Sequence, residues 1–291
     1  MHKRPDHEGT TSLHCRVIQR LQQSPSLRGA LYLGAAVGIF ETIGRLQDRD
    51  QAHALVRFHL SLLPATLLVT RAFAELRPAD RAAWVQLDLR SGARAFLGGA
   101  GLGSGALLSM LAVAATRGWV SAPEWGWAQV TPQTVAGAVA LNLVGHLAVA
   151  WNEETVYRGY LYDTWSMALT PAGSAALLTA LFALAHPLRP QTLVGEAALG
   201  SALLLLRIAS KGLWAPVGYH WAWNVLQTAI LGPADGPPSL RPLHVAGPHR
   251  WVGSPGQPDP GLLMTIINAA VALGLAGWLW RRRSTASADV S

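Results

Sequence analysis

Cysteine is all but missing from this sequence: Cys15 is the only one in 291 residues. That excludes an intrachain disulfide and a cysteine-based metal cluster. Charge is scarce as well. Asp, Glu, Lys and Arg together make up 13% of the chain, against roughly 25% in an ordinary soluble domain. Acidic residues are the scarcer sign, 16 against 23 basic, for a formal net charge of +7. Residues 95–116 and 261–280 contain no charged residue at all. Runs of about 20 such residues can cross a hydrocarbon layer about 30 Å thick. In lipid every backbone polar group must be satisfied within its own segment, so helices are expected. The first 28 residues have no apolar core, so no cleavable signal peptide is read there and the first apolar span is expected to direct insertion. There is no internal repeat and no HExxH motif.

What is present is apolar: 51% of the residues are hydrophobic. The expected fold is all-α, a polytopic transmembrane helical bundle of about eight helices, at roughly 29–46, 53–71, 95–116, 134–152, 172–186, 192–208, 213–231 and 261–280. The chain divides into an N-terminal tail (1–28), a first group of spans with a surface amphipathic segment near 76–94 (29–129), a core (130–231), a loop (232–260) and a last span with a basic tail (261–291). Residues 233–260 hold eight prolines and read as irregular extramembrane chain. With eight spans both termini share one side, which collects 16 of the 23 Lys and Arg residues. The positive-inside rule then makes both termini cytoplasmic, in what reads as a bacterial inner membrane. Anionic headgroups account for the basic charge, and no nucleic-acid partner is expected.

Ionisable residues within membrane spans are costly and call for a reason. Three segments carry them. In Asn152-Glu153-Glu154-Thr155-Val156-Tyr157-Arg158, Glu154 and Arg158 stand at i and i+4 and can pair. Glu153 points about 100° away and is left for another partner. A carboxylate in apolar surroundings without a fixed cation suits a general base. Taken alone, the segment equally fits a helix end leaving the membrane. The second segment, Phe182-Ala183-Leu184-Ala185-His186-Pro187, ends an apolar helix on a histidine. In the third, His220 and Asn224 lie one turn apart on a stretch without charge, so they face a partner helix or a wet cavity.

Spacing ties the first two together. Thr170-Pro171 reads as a turn and helix start. Glu153 lies 17 residues before Thr170 and His186 lies 15 after Pro171. In an antiparallel hairpin the two side chains meet at similar depth. One difficulty remains: a continuous helix puts Glu153 about 25 Å from that turn, while His220 is only about 12 Å from its own turn near Gly212, at 1.5 Å per residue. The depths agree only if the hairpin protrudes from the membrane or a helix is broken. His146 and Asn142 share a face with Glu153 and are expected to make interhelical hydrogen bonds. Glu41, His59 and Glu196 are not placed by the sequence; a helix-end or packing role is the plainer alternative to a part in the site.

Together, Glu153-Glu154-x-x-x-Arg158, Phe182-x-x-x-His186 and His220-x-x-x-Asn224 resemble the signature of the CPBP family of intramembrane proteases, also called Abi or CAAX-protease-like, which includes the type II CAAX prenyl endopeptidases. The resemblance covers about residues 130–230. It implies an intramembrane endopeptidase with a conical cavity between core helices. In that reading Glu153 and His186 activate water, His220 and Asn224 form the oxyanion hole, and Glu154 and Arg158 support them. The substrate would be a membrane-embedded or lipidated protein or peptide. Family members have been described both as metalloproteases and as glutamic proteases. Zinc, if bound, would fall to Glu153, His186 and His220. The neighbouring Arg158 opposes a cation, so the metal-free reading is favoured. The alternative from another class is a transporter or scaffold that uses the same residues as a proton or substrate path.

Overall fold

The computed structural model describes residues 13–47, 54–76, 89–121, 131–231, 243–253 and 261–288. Most of the surface segment expected at 76–94, and of the loop expected at 232–260, therefore lies outside the described residues.

Three helices begin where proline follows a small hydroxyl residue. Ser24 caps α2 (Pro25–Leu46), accepting from the Leu27 N–H. Thr131 caps α5 (Pro132–Glu154), accepting from the Thr134 N–H at 3.2 Å. Thr170 caps α7 (Pro171–Leu184), accepting from the Gly173 N–H at 3.0 Å. Proline at the first helical position has no N–H to leave unsatisfied, and the hydroxyl satisfies one of those that remain. The expected start at Thr170-Pro171 is therefore where the helix begins. The other helices are α1 (Leu13–Gln23), α3 (Ala54–Glu75), α4 (Leu89–Thr116), α6 (Tyr162–Trp165), α8 (Pro190–Ser210), α9 (Trp214–Leu231), α10 (His249–Val252) and α11 (Leu262–Ala288).

The fold is an all-α polytopic bundle, and the protein is an integral membrane protein. A helix stands at each of the eight apolar spans read from the sequence. By length and apolarity, segments of α4, α8 and α11 and the stretch Pro132–Trp165 can each cross a membrane, and α7 is apolar but shorter. Leu68, Leu97, Leu273 and Trp280 are each about 70% exposed, as side chains facing lipid must be.

The tightest seam joins α4 to α9. A Cβ added at Gly99 or Gly103 would run into the backbone carbonyls of Ala215 and Tyr219, and one at Gly218 into that of Phe96. Small residues one turn apart let two membrane helices touch backbone to backbone, where dispersion replaces a hydrophobic drive that lipid does not supply. Around the seam Leu107, Met110, Leu203, Tyr219, Trp223 and Met264 pack as a core, and the Tyr219 hydroxyl donates to Asn268 Oδ1 at 2.6 Å. Gly103→Val is expected to destabilise the protein by about 1–3 kcal/mol, the usual cost of overpacking. A melting curve of the detergent-solubilised chain checks this.

A second cluster holds α2 against the centre of the chain: Tyr32, Tyr160, Leu161, Trp165 and Leu178. The Tyr32 hydroxyl is hydrogen-bonded to Thr70 Oγ1 at 2.7 Å. Two short strands, β1 (Val120–Ser121) and β2 (His244–Val245), pair antiparallel and tie the end of α4 to the chain before α10.

Candidate active site

The last turn of α5 carries Asn152, Glu153 and Glu154. Beyond it the backbone does not continue as an α-helix. Residues Thr155–Leu161 widen into a π-helix, and Gly159 inside it leaves helical geometry altogether (φ −89°, ψ −106°). A π segment is rare and tends to sit at functional sites. The one-turn α6 and the turn to Thr170 follow. The helix is therefore broken between Glu154 and the hairpin turn, one of the two conditions under which the depths of Glu153 and His220 can agree.

Glu154 and Arg158 pair as their i,i+4 spacing predicts, Nη1 to Oε1 at 3.1 Å, and both are fully buried. A buried ion pair persists only where further hydrogen bonds satisfy it. Here the other terminal nitrogen, Nη2, donates to the Gly200 carbonyl at 3.2 Å, and the guanidinium lies 4.1 Å from the centre of the Phe182 ring. Arg207 braces the same segment from α8. It donates from Nε to the Arg158 carbonyl at 3.1 Å and from Nη2 to Asp163 at 2.9 Å.

His220 reaches the same carboxylate from α9, with Nδ1 3.0 Å from Glu154 Oε1. Arg158 holds Glu154 as an acceptor, so Nδ1 carries the hydrogen and donates. The working atom of His220 is then Nε2, and it stands 3.9 Å from Glu153 Oε2. Glu154 thus fixes the tautomer and orientation of His220, a role beyond its expected partnership with Arg158.

Glu153, His186, His220 and Asn224 all line one cavity of about 890 Å³, together with His59 and Glu196. The expected contact between Glu153 and His186 is not made. His186 lies past the end of α7, and its ring folds back so that Nδ1 donates to the Phe182 carbonyl at 2.9 Å. Its Nε2 then faces α8, where the carboxylate in reach is that of Glu196, 3.7 Å away. Counting residues from the turn brought the two side chains to one cavity but not to each other, because the π segment and α6 make the first arm of the hairpin unlike the second.

Of the candidate zinc set, Glu153 and His220 face each other at 3.9 Å while His186 turns to Glu196, and among the described residues no three His, Cys, Asp or Glu side chains are grouped to hold a metal ion.

Outside the cavity lining, the expected packing roles hold. His146 Nε2 is 2.9 Å from Thr228 Oγ1, and Asn142 Nδ2 donates to the Val225 carbonyl at 3.3 Å, both joining α5 to α9. Glu41 makes an exposed pair with Arg45 at 3.9 Å. His59 and Glu196, which the sequence left unplaced, line the cavity. His59 is buried beside Asn152, whose Nδ2 donates to the His59 carbonyl at 2.9 Å. Glu196 is buried and is the only carboxylate in α8. The available signal was that an ionisable residue inside an apolar helix stands for a site by default.

These features define a class: a polytopic membrane protein with a polar, histidine- and carboxylate-lined cavity among its helices. Residues 132–226 match the family model described as type II CAAX prenyl endopeptidase Rce1-like, a similarity that covers the core of the chain. The match runs from the start of α5 into α9 and contains all six candidate residues. No curated protein and no solved structure matches the chain.

Proposed function

We propose that this protein is an intramembrane endopeptidase of glutamic type, cutting a peptide bond in a membrane-anchored or lipidated protein or peptide. The single observation that carries the reading is the convergence of Glu153, His186, His220 and Asn224, from three separate parts of the chain, on one cavity. The Rce1-like match agrees with it, since that family is described as CAAX prenyl endopeptidases.

In this reading a water molecule in the cavity gives a proton to the Glu153 carboxylate as its oxygen attacks the scissile carbonyl. The oxyanion that forms accepts hydrogen bonds from His220 Nε2–H and the Asn224 amide. For His220 to donate there, its ring carries both protons, a form that the Glu154 carboxylate at Nδ1 favours. Glu153 passes the proton it gained through the cavity to His186 Nε2. On collapse the C–N electron pair leaves with nitrogen, which takes that proton from His186, so no charge accumulates. The turn of His186 toward Glu196, while Glu153 and His220 face each other, supports the metal-free reading. Prenylated C-termini are one substrate class. Peptide precursors and C-terminal sorting helices present the same chemistry, a cleavable bond close to a membrane anchor. The Lys and Arg distribution supports cytoplasmic termini.

The test compares the termini of membrane proteins in cells expressing the wild type with those in cells expressing Glu153→Ala. The expected result is a set of new termini that depends on Glu153, each near a transmembrane helix or lipid anchor. The same termini appearing at equal rate with Glu153→Ala would sink the assignment.

A further inference from the structure

The cavity holds a second carboxylate–imidazole pair, built on other elements than the first. Glu153, Glu154 and His220 come from α5 and α9. Glu196 comes from α8, and His186 from the turn between α7 and α8. We infer that Glu196 is the positioning residue for His186, holding its ring and balancing the charge the ring acquires when Nε2 is protonated during turnover. This rests on the protease reading above and adds to it a residue outside the three motifs that carried that reading.

The geometry gives the pair a division of labour. The Phe182 carbonyl can only accept, so its 2.9 Å hydrogen bond fixes the hydrogen of neutral His186 on Nδ1. Nε2 is then the atom free to gain and lose a proton. Glu196 Oε2 stands 3.7 Å from it, within ion-pair range but beyond a hydrogen bond. At that separation the carboxylate does not occupy Nε2. It acts mainly when the ring becomes a cation, by Coulomb attraction in a poorly solvated cavity. His220 is held the other way round, with its carboxylate on Nδ1 at 3.0 Å. One histidine is thus set as a standing donor and the other as a proton carrier.

Burial supports the assignment. Glu196 is 6% exposed and is the only charged residue from Pro190 to Leu206, a stretch otherwise built of apolar and small side chains. Keeping a carboxylate inside such a helix is costly, and helix packing alone does not call for it. One turn further along α8, Gly200 accepts the Arg158 hydrogen bond. The face of α8 that carries Glu196 is therefore the face that also braces the Glu154–Arg158 pair.

The experiment uses the full chain in detergent with a farnesylated CAAX reporter peptide, measuring kcat and KM for wild type, Glu196→Gln, Glu196→Asp and Glu153→Ala. Glu196→Gln is expected to lower kcat on the order of 10- to 100-fold, the scale found when a carboxylate that orients a histidine is lost. KM should stay within about twofold, as befits an interaction made only on the way to the transition state. Glu196→Asp, which keeps the charge, should recover most of the lost kcat. A residue needed only for packing would lower the melting temperature in both variants and show no charge-dependent rescue, and that result overturns the inference. So does Glu153-dependent cleavage that proceeds at wild-type kcat in Glu196→Gln, which leaves the protease reading standing. Absence of any Glu153-dependent cleavage by the wild type overturns the protease reading and this inference with it.

Discussion

Glu153→Gln is expected to reduce kcat by roughly 100- to 10,000-fold, the range that a positioned general base contributes, with little change in melting temperature. The substitution keeps the shape of the side chain and removes its ability to take a proton. Glu153 is the carboxylate with the freedom to do this work. Its side chain is 25% exposed to the cavity, and its nearest ionisable partner, His220 Nε2, is 3.9 Å away. Glu154, by contrast, is fully buried and engaged by both Arg158 and His220. A partly exposed carboxylate in a long ion-pair contact stabilises the fold by little, so its loss should register in turnover rather than in stability. Melting curves and steady-state rates on the same preparation check both halves. Turnover surviving in Glu153→Gln would move the base to another cavity carboxylate, of which Glu196 is the one in reach of a histidine.

Local rules carried far in this chain. Thr170-Pro171 starts a helix because a hydroxyl cap and a missing N–H are both decided by neighbours in sequence. Glu154 and Arg158 pair because four residues make one helical turn, a spacing that survives even as the backbone passes into the π segment. The long apolar runs at 95–116 and 261–280 became α4 and α11. What escaped the sequence depended on relations between helices. Nothing in Thr155-Val156-Tyr157-Arg158-Gly159-Tyr160-Leu161 distinguishes a π-helix from an ordinary one, since the period of its apolar residues is too short to measure. The partner of His186 was unreadable because it depends on how the ring turns after α7 ends and on which face α8 offers. The sequence placed Glu153 and His186 side by side by counting residues, and the same counting could not see that α8 brings a closer carboxylate. His59 reaches the cavity only because α3 packs on α5 beside Asn152.

Arg158→Met is expected to cost about 3–5 kcal/mol, the penalty for stranding one member of a buried ion pair. The guanidinium is 1% exposed and replaces water on three sides: the Glu154 carboxylate, the Gly200 carbonyl and the Phe182 ring. Methionine fills similar volume and restores none of the donors. The cost should fall mainly on Glu154, which would lose its guanidinium partner and keep only His220 beside it. The companion double variant separates that charge from simple loss of packing. In Glu154→Gln with Arg158→Met the residue at 154 is neutral, and its amide oxygen can still accept from His220 Nδ1. Most of the lost stability should therefore return, as happens when both members of a buried pair are neutralised. Turnover should stay low in the double variant, because a neutral acceptor no longer favours the doubly protonated His220 ring on which the proposed oxyanion hole depends. Unfolding of the three proteins in graded denaturant, read beside their rates, checks the argument: a double variant as unstable as Arg158→Met would assign the loss to the Gly200 and Phe182 contacts instead.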